Sequence, residues 1–559
     1  MDYKEYIAQK INIDGVSQDE ICAAIALPPN SEMGDYALPC FKFAKILHKA
    51  PVVIAEELKN GFITDNVISE VSAVNGYLNF KINKNGLTDS VIKQILEEGN
   101  SYGSSDIGTG KTICIDYSSV NIAKPFHIGH LSTTVIGGAL YKIYKFLGYN
   151  VVGINHLGDY GTQFGKLISA YKRWGNRDEV QKGGIHAIND LYVRFNNEAD
   201  EQMESEAREY FRLIENGDKE ANELFEWFKE LTLSYVKNIY EKLNITFDSY
   251  AGERFYTDKM QPVIDELREK KLLVESEGAQ IVDLEQYGMS PCLILRSDGA
   301  SLYATRDLAA AMYRKNTYDF HKCLYVVAYQ QNLHFKQVFK VLELMGKEWA
   351  KDLVHVAYGM VSLEDGAMST RKGKVIWLED VITKCVEKAF AIIDEKNPNL
   401  ENKENTANLV GLGAVIFGAL YNNKIKDIVF SYDKVLSFEG ETSVYVQYTC
   451  ARANSVLTKS ETRETYPENY TPNAQEFEVV KALAAFPETV KDAAEKYEPS
   501  YVARYAVDLA QKYNKFYIDC KILTAEGDAK DFRLALTRVT LQTLKNALSL
   551  LGIGVPEKM

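Results

Sequence analysis

The sequence predicts an α/β protein built on a parallel sheet with a helical insertion, preceded by a small α/β module and followed by an α-helical bundle. Three observations lead there. Residues 112–117 are short, apolar and β-branched, the pattern of a buried strand. Ile128, Leu131, Val135, Ile136, Ala139, Leu140, Ile143 and Leu147 then recur every three or four residues, as on a helix with one buried face, and Gly148 stands where a left-handed cap ends it. Residues 151–154 begin a second strand. The unit is therefore strand, loop, helix, strand, for which a right-handed parallel crossover is expected. The third observation is that helical patterns fill the chain from about residue 406 onward, and helices in that number pack as a bundle.

The loop after the first strand falls over the carboxyl edge of the sheet, where open α/β folds bind ligands. It carries Asp116-Tyr117-Ser118, Asn121-Ile122-Ala123-Lys124-Pro125 and His127-Ile128-Gly129-His130, and the second strand leads into His156-Leu157-Gly158-Asp159. His127 and His130, three apart at a helix start, share a face. Unpaired N–H groups and a partial positive charge at that helix end suit phosphate. Gly129 leaves backbone open to a flat ligand such as a purine, although glycine in a helix costs about 1 kcal/mol relative to alanine. Two histidines so spaced also read as surface or metal-bound imidazoles. The metal reading lacks company, since no His-x-x-x-His or Cys-x-x-Cys set stands nearby, and no metal site is expected.

The run from Ser118 through Asn121, Lys124, His127 and His130 resembles the HIGH signature of class I aminoacyl-tRNA synthetases, in the wording used by arginyl-tRNA synthetases. A second phosphate element is Gly366-Ala367-Met368-Ser369-Thr370-Arg371-Lys372-Gly373, lying between strand-like residues 356–361 and 375–377. A short loop with hydroxyls, two positive charges and glycine at each end can close over a polyphosphate. It stands where that family carries its KMSKS loop, with Ala367 and Thr370 in place of the two consensus lysines. Arginyl members commonly show this departure together with a lysine just before HIGH, where Lys124 stands. The resemblance implies a Rossmann-like catalytic domain that uses ATP with nucleotide-bound Mg²⁺. It implies catalytic roles for Lys124, His127, His130, Ser369, Arg371 and Lys372, and ATP contacts from Lys124, His127, Gly129, His130, Met368 and Ser369.

Along the chain, residues 1–108 form the first module, with helical patterns at 3–11 and 17–26, an alternating strand at 76–81, and a linker by composition at 103–110. Gly34-Asp35-Tyr36-Ala37 and the 76–80 strand resemble the N-terminal appendage of arginyl-tRNA synthetases, which implies contact with the elbow of tRNA. Lys42, Lys45 and Lys49 at helical spacing support that weakly, because such a stripe also reads as a solvated face. The catalytic domain is expected over 109–385, with a charged helical insertion at about 170–250 whose acidic 198–209 stretch reads as solvated. The sheet is expected to resume at 292–295, and 324–327 reads as a further strand before Tyr329-Gln330-Gln331. Tyr303 and Asp307 pair an aromatic ring with a carboxylate, a receptor suited to a guanidinium; a plain surface pair is the other reading. The resemblance implies that Asp116, Tyr303 and Asp307 hold the guanidinium of L-arginine, with Ser118, Asn121, His156 and Gln331 around its α-groups.

Residues 386–559 are expected to form the bundle, with helices at 411–422, 444–460, 476–495, 501–520 and 532–551. Tyr445, Gln447, Tyr448, Arg452 and Asn454 concentrate aromatic and basic groups on one helix, where unpaired bases could stack or where tyrosines simply pack. That stretch and the ending at Met559 resemble the anticodon-binding bundle of arginyl-tRNA synthetases. The resemblance therefore implies tRNA contacts from Tyr448, Arg452 and Met559.

The 559 residues are 46% apolar, enough for several cores, and contain no apolar run of membrane-spanning length. The charged start MDYKEYIAQK is unlike a signal peptide, and eight scattered cysteines suit a reducing compartment, so a cytoplasmic location without a membrane is expected; a monomer is the expected state. A net charge of −13 excludes a protein that coats nucleic acid indiscriminately, while leaving room for a selective RNA partner. Joining arginine to tRNA(Arg) is the activity the resemblance implies. A smaller His-x-x-His nucleotidyltransferase would share the core without needing the flanking domains, and a silent arginine sensor or tRNA-binding relative would share the whole outline.

Overall fold

The computed structural model describes residues 3–28, 33–65, 67–296, 303–363, 376–460, 466–468 and 470–559. The chain divides into two compact units. One comprises residues 103–452, 489–507 and 544–559; the other comprises residues 1–102, 453–488 and 508–543. Residues of the C-terminal helical segment thus belong to both.

The larger unit is organised around a four-stranded parallel sheet in the spatial order Leu353–Tyr358, Lys322–Ala328, Thr112–Asp116, Asn150–Ile154. All four strands are short and largely buried, as strands covered on both faces must be. From Thr112–Asp116 the chain first moves to one side and then returns on the other. The order therefore reverses between Thr112–Asp116 and Lys322–Ala328, and the loops leaving their carboxyl ends diverge around a crevice. The helix Leu131–Phe146 makes the first crossover. It lies tightly on the sheet because Gly137 has no side chain: a Cβ there would meet the ring and Cβ of buried Tyr117 at 2.2–2.3 Å.

Two sequence expectations change here. Cys292–Leu295 is a strand, but it belongs to a separate antiparallel sheet with Leu273–Ser276 and Ala279–Val282; the parallel sheet resumes only at Lys322. A short apolar run carries no information about which sheet it will join. The chain after residue 386 also contains a strand, Ile428–Phe430, which pairs in parallel with Val361–Leu363. Three residues are too few for a period to show.

The insertion is helical, over Gln163–Trp174, Arg177–Glu198, Glu201–Glu215 and Lys219–Lys242, and the second stretch is broken into two helices by a kink at Gly184, whose φ of 55° is not helical. Its return segment rejoins the sheet edge, where Asn155 N–H donates to Ser249 O at 2.9 Å and Tyr117 Oη–H to Thr246 O at 2.6 Å.

The smaller unit holds a three-stranded antiparallel sheet in the order Tyr36–Pro39, Tyr77–Ile82, Ile68–Val74. The helix Lys84–Glu98 follows it and packs beside Ala474–Ala484, and Tyr102 Oη–H closes on Leu483 O at 2.8 Å. The expected helix over 476–495 is two helices, Ala474–Ala484 and Phe486–Glu495. Pro487 at the second position of the latter lacks the N–H that a continuous helix would use.

Replacing Gly137 by alanine should destabilise the protein by about 1–3 kcal/mol, since Tyr117 is clamped at its Cβ and must shift bodily. Thermal unfolding followed by tyrosine fluorescence checks this; an unchanged midpoint would show that the crossover helix has slack.

Candidate active site

The loop after Thr112–Asp116 is conformationally strained. Ser118, Ser119 and Ala123 all sit in the left-handed region, at φ of 69°, 44° and 61°. Each costs on the order of 1 kcal/mol for a residue with a Cβ. The surroundings hold them there. Ser118 N–H donates to Thr133 Oγ1 at 3.0 Å, and the Ser118 hydroxyl lies 2.8 Å from Thr134 Oγ1 and 2.7 Å from Tyr240 Oη. Ala123 N–H donates to Thr232 Oγ1 at 3.2 Å. Further on, Ile122 N–H bonds to Gly158 O and Gly158 N–H to Val120 O. A Cβ on Gly158 would come within 2.3 Å of Asn121 Oδ1 and 3.3 Å of its Cα, so any larger residue there would displace the Asn121 side chain.

His127 caps, and His130 ends, a short 3-10 turn, Ile128–His130, which runs into Leu131–Phe146. Their rings lie 4.0 Å apart. Gly129 N–H donates to His127 Nδ1 at 3.1 Å and His127 N–H donates to His130 Nδ1 at 3.2 Å. A nitrogen that accepts carries no proton, so in each neutral ring the proton sits on Nε2. Burial, with the charge of Lys124 adding to it, lowers His127 to about 4. Burial, followed by the neighbouring His127, lowers His130 to about 3. At neutral pH the pair is therefore two uncharged N–H donors beside one lysine.

The same turn is bound to the chain just after residues 366–373. Ile128 N–H donates to Ile376 O at 3.1 Å, Leu378 N–H donates to Phe126 O at 3.0 Å, and His127 bridges Trp377. The Trp377 ring lies 4.1 Å from the His186 ring and 5.7 Å from that of Tyr235, so two insertion helices pack on this junction. Met368, Ser369, Arg371 and Lys372 themselves lie outside the described residues.

Across the crevice, Tyr303 and Asp307 lie on one helix, Tyr303–Tyr318, four residues apart and so on one face. Tyr303 is 69% exposed, while Asp307 is half-buried. Burial pushes the Asp307 carboxyl upward, but the His334 hydrogen bond and the charges of His334, His156 and Arg314 prevail and hold it below the usual carboxylate range. Asp116 lies at the strand end, and its Oδ2 is already paired with Arg314 Nη2 at 2.7 Å. Its Oδ1 accepts from Ser119 Oγ at 2.8 Å. Arg314 Nη2 also lies 3.3 Å from His156 Nδ1. With Asp116 internally compensated, Asp307 is the carboxylate more open to a cationic ligand. Gln331 is exposed just before the helix Asn332–Leu344, and Asn121 is exposed on the strained loop. The Ser118 side chain is spent on Thr134 and Tyr240 and its N–H on Thr133, which leaves its carbonyl as the group open to a ligand.

Three participants had no role in the sequence reading. Arg314 is fully buried and stands eleven residues after Tyr303 and seven after Asp307, spacings that return to one helix face; this was the signal that could have found it. His334 bonds to Asp307, and nothing in its local pattern announces that. Asp159, 2% exposed, takes Lys229 Nζ at 2.8 Å and Arg254 N–H at 2.9 Å, which ties the insertion to the loop after the second strand.

Among the expected tRNA contacts, Tyr448 is partly exposed with the Arg452 guanidinium 5.0 Å from its ring centre, while Met559 packs against a core cluster that includes Ala389 and Val444. Gln447 does not share their face. It is fully buried and donates to Leu409 O and Gly554 O. Among the described residues no cluster of three or more His, Cys, Asp or Glu could hold a metal ion, and no helix is long and apolar enough to cross a membrane.

Three family descriptions match the chain: "tRNA synthetases class I (R), catalytic domain" over residues 91–432, "DALR anticodon binding domain" over 446–559, and "Arginyl tRNA synthetase N terminal domain" over 1–82. The chain is 52% identical to the arginine–tRNA ligase of Halothermothrix orenii and 51% identical to that of Alkaliphilus metalliredigens, with full coverage of both proteins in each case. Among solved structures, Thermus thermophilus arginyl-tRNA synthetase superposes with a TM-score of 0.85 over 96% of each chain at 27% identity.

A pH dependence follows from the histidine pair. Both rings are held below their unfolded value of about 6.5, so their contribution to stability is complete above that pH and is lost as pH falls toward about 4 and about 3. The variant His130→Asn should lose less thermal stability than the parent between pH 6.5 and 4. Parallel melting curves across that window would show that His130 is not buried neutral.

Proposed function

The chain belongs to the arginyl branch of the class I tRNA synthetases, the arginine–tRNA ligases, and from that premise we propose how its residues divide the work. The reaction joins L-arginine to ATP as arginyl-adenylate with release of diphosphate. Arginine then passes to the 3′-terminal adenosine of tRNA(Arg) with release of AMP.

In the first step a carboxylate oxygen of arginine attacks the α-phosphorus, and the bond to the β-phosphate oxygen breaks. Such a transfer needs in-line reactants and stabilisation of charge on phosphate oxygens rather than covalent help from the protein. His127 and His130 supply Nε2–H donors and Lys124 a cation, with Gly129 leaving room for the adenine. Met368, Ser369, Arg371 and Lys372 would add the hydroxyl and cations of the family's second motif. One observation carries this reading: the Ile128 N–H to Ile376 O bond joins the histidine turn to the residue that follows that loop. Each well-aimed donor is worth about 3 kcal/mol in the transition state. Mg²⁺ held mainly by the nucleotide's own phosphates would neutralise further charge, as suits an ion that keeps much of its shell from water and phosphate. In the second step the 2′ hydroxyl of the terminal adenosine attacks the adenylate carbonyl and AMP departs.

Arginine is selected by Asp307 and Tyr303, with Asp116 behind them. Ser118, Asn121, His156 and Gln331 surround its α-groups. A site whose buried acceptors go unpaired with the wrong ligand can reject it by about 10⁴-fold, so no editing site is needed. Residues 1–108 meet the tRNA elbow, 109–385 carry out catalysis, and 386–559 read the anticodon through Tyr448, Arg452 and Met559. The enzyme works as a cytoplasmic monomer.

The variant Asp307→Asn should raise the KM for arginine by about a hundredfold or more in charging assays with tRNA(Arg), with the KM for ATP changed less than about twofold. Equal loss for both ligands would remove Asp307 from arginine recognition.

A further inference from the structure

Asp307 does not meet the crevice as a free carboxylate. Its Oδ2 lies 2.6 Å from Nε2 of His334, on the helix that follows the Lys322–Ala328 strand. The two side chains are 26% and 23% exposed, so the pair is accessible along one edge rather than sealed in the core. From the other side, Asp307 is faced by His156 and by Arg314, which is itself committed to Asp116. Glu253 is the neighbouring acid, and it is paired with Arg306 at 3.0 Å. His334 is faced from the sheet by His355, whose Nε2 bonds to Val327 O at 3.0 Å and whose ring packs 4.5 Å from Phe335.

A carboxylate in that position has competing partners. Swung toward Arg314 and His156, it would complete an internal cluster and leave the crevice without its charge. A guanidinium, by contrast, needs the carboxylate plane held still, because its paired N–H donors have a fixed geometry.

We propose that His334 is a positioning residue for arginine recognition: by donating Nε2–H to Asp307 Oδ2 it fixes the carboxylate plane and presents Oδ1 to the substrate guanidinium. The proposal rests on the assignment of Asp307 to the guanidinium. His334 touches Asp307 and acts through it, with no role in the phosphate chemistry at His127 and His130. It also gives the pocket a second element, since the helix after the switch-point strand now determines how the helix bearing Tyr303 and Asp307 reads its ligand.

The experiment is a double-mutant cycle read in steady-state charging of tRNA(Arg) at varied arginine and varied ATP. His334→Ala should raise the KM for arginine about tenfold, the loss expected for one hydrogen bond to a charged group, with kcat and the KM for ATP within about twofold of the parent. His334→Gln, whose amide N–H can stand where Nε2–H stood, should restore most of the affinity. In the Asp307→Asn background His334→Ala should add no more than about twofold. Effects that multiply in the double variant, or failure of glutamine to rescue when the variant melts like the parent, would overturn the positioning role while leaving Asp307 in place. An arginine KM unmoved by Asp307→Asn would instead remove the assignment underneath, and the inference with it.

Discussion

Two backbone hydrogen bonds tie the histidine turn to a distant stretch of the chain, Ile128 N–H to Ile376 O and Leu378 N–H to Phe126 O. They join stretches almost 250 residues apart, and side-chain substitution cannot easily break them. One lies in the turn that carries both histidines. The other stretch follows residues 366–373, whose leading flank, Val361–Leu363, is paired with Ile428–Phe430. Trp377, at the junction, is packed by rings from two insertion helices, so the insertion has a mechanical connection to the centre as well as a charged face to solvent.

The electrostatics divide into two regions with opposite requirements. Around the histidines, burial strips charge from the imidazoles and leaves them as oriented dipoles, which can approach a triphosphate without contributing titratable charge of their own. Around Asp307, carboxylate charge is kept. Buried Asp116 is matched by buried Arg314, so the net charge left to greet a cationic ligand belongs mostly to Asp307. Pairs of this kind contribute little net stability, because desolvation offsets their attraction, but losing one partner costs about 3–5 kcal/mol. Their value here is positional. Asp116 with Arg314 ties the central strand to the helix bearing Tyr303 and Asp307, and Asp159 with Lys229 ties the second strand's loop to the insertion. Glu253 shows the limit of such pairing: burial raises it to about 7 although Arg306 stands 3.0 Å away.

The strained loop between Asp116 and Lys124 belongs to the same design. Left-handed backbone at Ser118, Ser119 and Ala123 is affordable because Thr133, Tyr240 and Thr232, from the crossover helix and the insertion, satisfy the polar groups that the unusual turns leave over. Loosening any of these elements would let the loop relax and move Lys124 relative to the histidines.

Sequence alone determined the strand–helix–strand unit, the placing of His127 and His130 at a helix start, the helical insertion, and most helices after residue 406. Periodicity and turn residues are local, and each of these features is written within a dozen or so residues. The tertiary structure decided the rest. Whether Cys292–Leu295 joined the parallel sheet, whether Gln447 faced solvent, and whether Asp116 would be left free all depended on partners far along the chain, which no local pattern encodes. The same holds for His334, and for the pairing of Arg314 with Asp116, although the helical spacing of Arg314 from Tyr303 and Asp307 is itself local. A hydrogen bond between helices from different crossovers, and an ion pair buried under a switch point, exist only once the sheet has set the order of its strands.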